Sequence, residues 1–378
     1  MRILSLGNCE LVPFLGSGKS RLRWSAGFRA LGHTFDVLEP KDIEWLPSLG
    51  GRLKHLRLAR GAQLRVRRAL REGEYDIIEF CGGEFGWITR ELSARKERPL
   101  IIARTDGLEL LAYYAGAIPD LNRPRPFLPP RQFYESIKHR LDFYAFRYAD
   151  RFASLSWADN AWVVKHGLFD DTTARVVAPG IDPEFLGRPF SPGDPLQLAY
   201  GGTWSERKNP NAIVTVTSRL LRQRPGLTFN LFGAFGSAEQ IMAAYPPELR
   251  QRVVVHPKLP VADLTAGLSR CGVFFFPSLY EGFGMTVAEA MGCGCAVVTT
   301  PTGFGGELIP GTDAMICGAQ DLAGFERTIL HLFDDERGRV TLARAGWERV
   351  QTLNWEAQVA ALESIYRGWL DEWQRTGR

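Results

Sequence analysis

The sequence predicts an α/β fold made of two doubly wound domains, each on a parallel sheet. Three observations carry that prediction. The chain has 378 residues, enough for two domains of about 150 residues, each burying its own core. Short β-branched or aliphatic runs alternate with longer amphipathic stretches throughout, the pattern of parallel strands covered by helices on both faces. The alternation breaks at Gly187-Arg-Pro-Phe-Ser-Pro-Gly-Asp-Pro195, where three prolines and two glycines exclude a helix or a central strand.

The expected strands before that linker are 2–6, 34–38, 75–81, 100–103, 151–156 and 175–178. After it they are 196–200, 227–232, 252–256, 272–276 and 296–299. Helical stretches between them include 20–31, 131–148, 209–222, 261–268 and 322–333, and the chain is helical again over 355–373. Two doubly wound halves joined by a linker place a crevice between the carboxyl ends of both sheets, where such folds bind ligands.

Composition narrows the class. With 45% hydrophobic and 23% charged residues, the chain is neither disordered nor collagenous nor a disulfide scaffold. No stretch approaches the ~18 consecutive apolar residues of a membrane span. The N-terminus opens on the apolar run Arg2–Leu6 without the segments of a signal peptide. The cysteines, Cys9, Cys81, Cys271, Cys293, Cys295 and Cys317, form no C-x-x-C pair and read as reduced, mostly buried thiols. A soluble, cytoplasmic protein is expected.

Charge is uneven. Residues 1–190 hold 29 basic and 23 acidic side chains, residues 191–378 only 17 and 19. The excess gathers in 51–71, with Arg52, Lys54, Arg57, Arg60, Arg65, Arg67, Arg68 and Arg71. Leu53, Leu56, Leu64 and Leu70 recur there at helix-compatible intervals. A solvated helix face is the favoured reading. The alternative is a surface for anionic lipid or a phosphate-bearing acceptor, with peripheral contact at the inner membrane face. No nucleic-acid partner is expected, since no base-reading module accompanies the charge.

Two phosphate motifs fail. Gly16-Ser17-Gly18-Lys19-Ser20 resembles the end of a P-loop, but the required first glycine is Pro13. A dinucleotide fingerprint from Gly16 and Gly18 fails at Arg21. What remains is a pair of glycines between a first strand and a first helix, which lets backbone N–H groups approach an anion. No Ser/His/Asp or Cys/His grouping stands out.

The strongest segment is Phe276-Pro-Ser-Leu-Tyr-Glu281-Gly-Phe283-Gly284-Met285-Thr286-Val-Ala-Glu289. A buried strand ends at Pro277, and a glycine-rich loop leads into a helix from about Met285. Helix-start N–H groups hold phosphate, and carboxylates accept from neutral hydroxyls. Glu281 and Glu289 flanking an anion hole therefore suit a diphosphate with diols at both ends, the shape of a nucleotide sugar. Between Arg270 and Arg327 there is no Lys or Arg. The phosphate charge must be met from elsewhere, and Arg207 and Lys208, in Gly201-Gly202-Thr203-Trp204-Ser205-Glu206-Arg207-Lys208, are placed to do it.

These residues resemble the retaining, nucleotide-sugar-dependent glycosyltransferases of family 4, which have the GT-B fold of two Rossmann-like domains facing a central cleft. Glu281-x7-Glu289 matches that family's E-x7-E motif. Ala290-Met291-x-x-Gly294, Thr302-Gly303, Gly305-Gly306-Glu307 and Ala178-Pro179-Gly180-Ile181-Asp182 match further positions. The likeness is specific over 200–317 and weak before residue 150.

The resemblance implies an acceptor-side domain at 1–188, completed by a helix at about 357–378, and a donor domain at 189–356. Glu281 would contact donor-sugar hydroxyls and Glu289 the ribose. Backbone at Phe283, Gly284, Met285 and Thr286 would approach the sugar and diphosphate, with Lys208 on the phosphates. Gly16 and Gly18 would close over them from the other domain. Two positions depart from the pattern. Gly202-Thr203 stands where the family has an arginine, a role left to Arg207, and Asp106 stands where the family has His-Gly beside the reacting sugar.

The expected activity is retaining transfer from a nucleoside-diphosphate sugar to a hydroxyl of a saccharide, lipid-linked or small-molecule acceptor. Neither a protein nucleophile nor a metal or other cofactor is expected. An epimerase or phosphorylase on the same scaffold, or a non-catalytic nucleotide-sugar-binding protein, remain the alternatives. The oligomeric state stays open.

Overall fold

The structure, a computed structural model, describes residues 1–12, 16–49, 53–108 and 130–376. Pro13, Gly51, Arg52 and the last two residues, named above, lie outside it. The chain divides into two compact units, Met1–Ala178 with Trp355–Arg378, and Pro179–Asn354.

The first unit is built on six parallel strands. They are β1 (Arg2–Gly7), β2 (Thr34–Leu38), β3 (Ile77–Cys81), β4 (Leu100–Arg104), β5 (Arg151–Ser154) and β6 (Ala174–Val176). They lie in the order β2-β1-β3-β4-β5-β6. Leaving β1, the chain first adds β2 on one side and then crosses to β3 on the other, so the order reverses between β1 and β3.

The second unit repeats the plan. Its strands are β7 (Asp194–Gly201), β8 (Thr228–Phe232), β9 (Val253–Val255), β10 (Cys271–Phe276), β11 (Ala296–Thr299) and β12 (Met315–Ile316). Their order is β12-β11-β10-β7-β8-β9, all pairs parallel, with the reversal between β7 and β10. The expected α/β architecture with a doubly wound sheet in each half is present. Only β12, two residues long, was not foreseen, being too short to show a pattern.

The central strands are buried on both faces, which is why they read as unbroken apolar runs. Two charged residues break that rule, Arg104 at the end of β4 and Glu79. Glu79, inside β3, is 2% exposed, and its carboxylate accepts from Ser5 Oγ at 2.6 Å and Tyr366 OH at 2.5 Å. Burial alone would raise its pKa, but Arg104, Ser5 and Tyr366 hold it below the ordinary value.

Six helices matter below: α1 (Gly16–Ala30), α2 (Lys54–Glu72), α3 (Pro130–Arg147), α4 (Pro210–Gln223), α5 (Met285–Gly292) and α6 (Trp355–Thr376). Helix α6 packs on the first unit: Trp355 meets Trp24 edge-on at 5.3 Å, and Glu372 pairs with Arg151 at 2.9 Å. Helix α2 carries the basic run. Leu58, Ala59, Ala62 and Val66 are buried, whereas Leu53 and Leu64 are exposed. Helix α1 starts at Gly16, so Gly16 and Gly18 lie in its first turn rather than in a loop before it. Gly18 is needed for close packing there, since a Cβ would sit 2.4 Å from the Glu10 carbonyl oxygen.

Candidate functional site

In doubly wound sheets, ligands bind at the carboxyl ends of the strands where the order reverses. In the second unit that point lies between β7 and β10, and the segments singled out in the sequence follow those two strands. The loops after them are tied together. Leu279 N donates to the Arg207 carbonyl at 2.8 Å, and Ser278 Oγ lies 3.1 Å from the same carbonyl. Asn209, at φ +61°, caps α4 and donates to the carbonyls of Pro277 and Ala319 at 3.2 and 3.0 Å. A left-handed asparagine avoids most of the strain another side chain would bear there.

The centre of the site is a buried ion pair. Lys208 Nζ lies 2.5 Å from Glu281 Oε1, and the two residues are 7% and 5% exposed. Ser278 Oγ donates to the same carboxylate oxygen at 2.5 Å, and Arg207 Nη1 lies 3.7 Å from Oε2. Lys208 also rests 4.6 Å from the centre of the Phe276 ring. Burial pushes the Lys208 pKa down, aided by Arg207, while Glu281 pulls it back. Burial and the Glu281 carboxylate raise the Tyr200 hydroxyl well above its ordinary range. That hydroxyl donates to the Thr203 carbonyl at 2.9 Å, so exposed Thr203 takes part through its backbone.

Beside this pair, α5 points its N-terminus at the loop. Gly284, at φ +89°, supplies the turn into the helix, and only glycine enters such a turn freely. Phe283 stacks on Phe304 at 5.1 Å and accepts from Phe304 N at 2.6 Å, which fixes the loop against 303–306. Glu289 is 7% exposed, one turn into α5. Thr286 Oγ1 is buried and has no partner among the described residues. Lys208, Arg207, Glu281, Phe283, Gly284, Met285 and Thr286 therefore converge on one strand edge, with Glu289 on the helix above it. Ser278, Tyr200 and Asn209 complete the framework. Sequence reasoning assigned them no role, although Ser278 stood in the motif and Asn209 before a helix-initiating proline.

Asp106 lies in the first unit, two residues beyond β4. Its Oδ2 accepts from Cys81 Sγ at 3.6 Å, and its buried Oδ1 has no partner among the described residues. Burial raises its pKa, against the pull of Arg104 and Arg21. Nearby, Arg21 is 5% exposed and covers Gly7 so closely that a Cβ there would lie 1.5 Å from Nη1. No motif marks Arg21, because its partners come from distant segments.

Residues 195–335 match the family described as Glycosyl transferases group 1. The glycogen synthase of Mycobacterium tuberculosis is 29% identical over 177 residues, covering 46% of this chain and 42% of that protein. The chain spans about half the length of the curated relatives it matches. Among solved structures, sucrose-phosphate synthase from Thermosynechococcus elongatus superposes with a TM-score of 0.77 at 19% identity, over 98% of this chain and 100% of that one. The Anabaena protein HepE, solved with UDP and glucose, gives 0.65 at 14% identity over 97% and 100%. These two likenesses are of fold. The sequence match falls on the unit that holds the Lys208–Glu281 pair, and it is there that the chain is similar to the group 1 glycosyl transferases.

Proposed function

We propose that the protein transfers a sugar, with retention, from a nucleoside-diphosphate sugar to a hydroxyl acceptor. The observation that carries this reading is the buried Lys208–Glu281 pair at the β7/β10 reversal, facing the N-terminus of α5 and the unpartnered Thr286 hydroxyl. A diphosphate placed there meets a desolvated ammonium, the Arg207 guanidinium and the positive end of a helix. Its negative charge favours the ammonium that burial alone disfavours. As the anomeric C–O bond breaks, the same groups stabilise the departing diphosphate. Glu289 suits a ribose diol and Glu281 a sugar hydroxyl. The acceptor hydroxyl attacks from the face the diphosphate leaves, so no protein nucleophile is required, and donor binding proceeds without a metal ion. Support for the nucleotide comes from the fold relative solved with UDP and glucose.

The acceptor is a saccharide, lipid-linked or small-molecule alcohol, and the protein works in the cytoplasm. Among the described residues no helix is long and apolar enough to cross a membrane. Contact with an anionic membrane surface through α2 is part of this proposal. Beside the basic face, Trp45, Leu46, Leu49 and Leu53 are each 44–54% exposed, so apolar side chains accompany the charge. Flotation with phosphatidylserine vesicles should weaken as salt rises.

Calorimetry with UDP, GDP and ADP, each with and without magnesium, tests the donor site. Micromolar binding of one nucleotide, unchanged by magnesium and lost in Glu281→Ala, is the expected result. No binding to any of the three overturns the assignment. Tight nucleotide-sugar binding with no turnover of any acceptor would mark a binding protein instead.

A further inference from the structure

The second unit also carries a cavity that the donor assignment leaves unused. Its volume is about 300 Å³, at the lower end for a small-molecule site. Its walls come from the loop after β7, the first turns of α4 and the helix Ala238–Ala244. Neither Lys208 nor Glu281 lines it, so it is separate from the buried pair.

These walls are fixed by contacts of their own. Trp204 meets the Tyr200 ring edge-on, 6.3 Å between centres, and the Tyr200 hydroxyl holds the Thr203 carbonyl. Lys208 N and Asn209 N donate to the carbonyls of Ser205 and Glu206 at 2.8 and 2.9 Å, which closes the loop into a tight turn. Thr217 and Tyr245 follow the lining residues Thr215 and Ala244, and their hydroxyls share a hydrogen bond at 2.7 Å that ties the two sides together. A ligand is therefore spared the cost of ordering the site.

The lining decides what kind of molecule fits. Trp204, Pro210 and Val214 supply apolar surface, while Glu206, Asn211 and Gln240 are exposed and offer a carboxylate and two amides. An anion would meet the Glu206 carboxylate with no Lys or Arg in the lining to offset it. A cation would meet the positive end of α4 at Pro210 and Asn211. A wholly apolar molecule would cover the amides without giving them partners. What remains is a neutral molecule with one apolar face and a rim of hydroxyls. A pyranose has both: its C–H face lies against an indole, and its hydroxyls donate to carboxylates and exchange hydrogen bonds with amides.

We propose that this cavity is a saccharide-binding site outside the reaction centre, with Trp204 as its platform. It goes beyond the transfer proposed above and does not depend on it.

Saturation-transfer NMR with methyl α-glucoside, methyl β-galactoside and maltotriose tests the inference without requiring turnover. Transfer to at least one of the three is expected. Trp204→Ala should weaken that binding about tenfold or more. Should Trp204→Ala disturb the loop, Ala244→Trp fills the cavity from an exposed position, removes no hydrogen-bonding group, and should abolish transfer. Nucleotide affinity in Ala244→Trp should stay within about twofold, since the Lys208–Glu281 pair is untouched. No transfer to any of the three saccharides overturns the proposal, and so does transfer that survives both substitutions. Displacement of the saccharide by equal concentrations of tetramethylammonium or inorganic phosphate overturns the neutral class. Saccharide binding without nucleotide binding overturns the donor assignment and leaves this site standing, and nucleotide binding without saccharide binding does the reverse.

Discussion

The two reversal points are built from the same topology and handle charge in opposite ways. Between β7 and β10 the ionic groups satisfy one another: Lys208, Glu281 and Ser278 close a short network before any ligand arrives. Between β1 and β3 the network around Glu79 is closed, but Arg21, Asp106 and Glu84 each retain an unused polar atom among the described residues. A closed pair is a preorganised one, its charges fixed in place by one another. The difference teaches that one topology can close its buried charges on one another in one half and leave buried polar atoms unused in the other.

The largest expected effect comes from opening the closed pair. Lys208→Met leaves the buried Glu281 carboxylate only Ser278 and the more distant Arg207, which should cost up to about 3–5 kcal/mol of stability. Turnover should fall by about 10²–10³-fold, since a charge meant for the departing diphosphate is gone. The double variant Lys208→Met/Glu281→Gln should recover much of the stability and none of the turnover. Denaturant melts and steady-state rates measure both. If the double variant melts no higher than Lys208→Met, the pair is not what holds the two loops.

Next in size is a pH effect confined to the first unit. His55, on α2, lies between Glu84 and Asp142 of α3, at 3.5 and 3.2 Å. Burial would lower its pKa, but the adjacent Asp142 and Glu84 carboxylates outweigh that and raise it from 6.5 to about 9. A raised folded-state pKa stabilises the fold while the imidazole is charged. The stability is full below pH 6.5 and is lost as pH rises through about 9. It should amount to roughly 3 kcal/mol. Melts of wild type and His55→Gln between pH 6 and 10 measure it, and a slope that persists in the variant would exclude His55 as its source.

A smaller effect is expected from Tyr366→Phe, which removes one hydrogen bond from the buried Glu79 carboxylate. About 1–3 kcal/mol should be lost from the first unit, with nucleotide affinity untouched. The smallest should come from Glu72→Gln on α2. It breaks the exposed pair with Arg68 and should leave the melt unchanged within its error, because solvent screens that pair.

The same contrast governs how much was legible in the sequence. The second site lies in two contiguous segments, 201–209 and 276–289, so its spacing could be read and its residues do meet. Even so, the Lys208–Glu281 contact was invisible, because it depends on β7 and β10 being neighbours. The open edge of the first unit joins Arg21, Glu84 and Asp106, which share no spacing, and only Asp106 was singled out. Helix α2 was readable as a charge run but not by face, since its inward residues include Ala59 and Ala62, too small to stand out beside leucine. The glycines of α1 read as a loop because glycine is a poor helix former. Packing of Gly18 against the Glu10 carbonyl overrides that preference.

Helix α6 ties events far apart in time. Glu79 is translated early, yet one of its two strongest partners, Tyr366, is separated from it by most of the chain. During synthesis the first sheet must therefore wait, with a carboxylate in β3 that is short of a partner, until the whole second unit has been made. The second unit has no such debt and can fold as it emerges. Order of manufacture and order of completion run in opposite directions, and a chain stopped at Asn354 would hold a finished second unit and an unfinished first one.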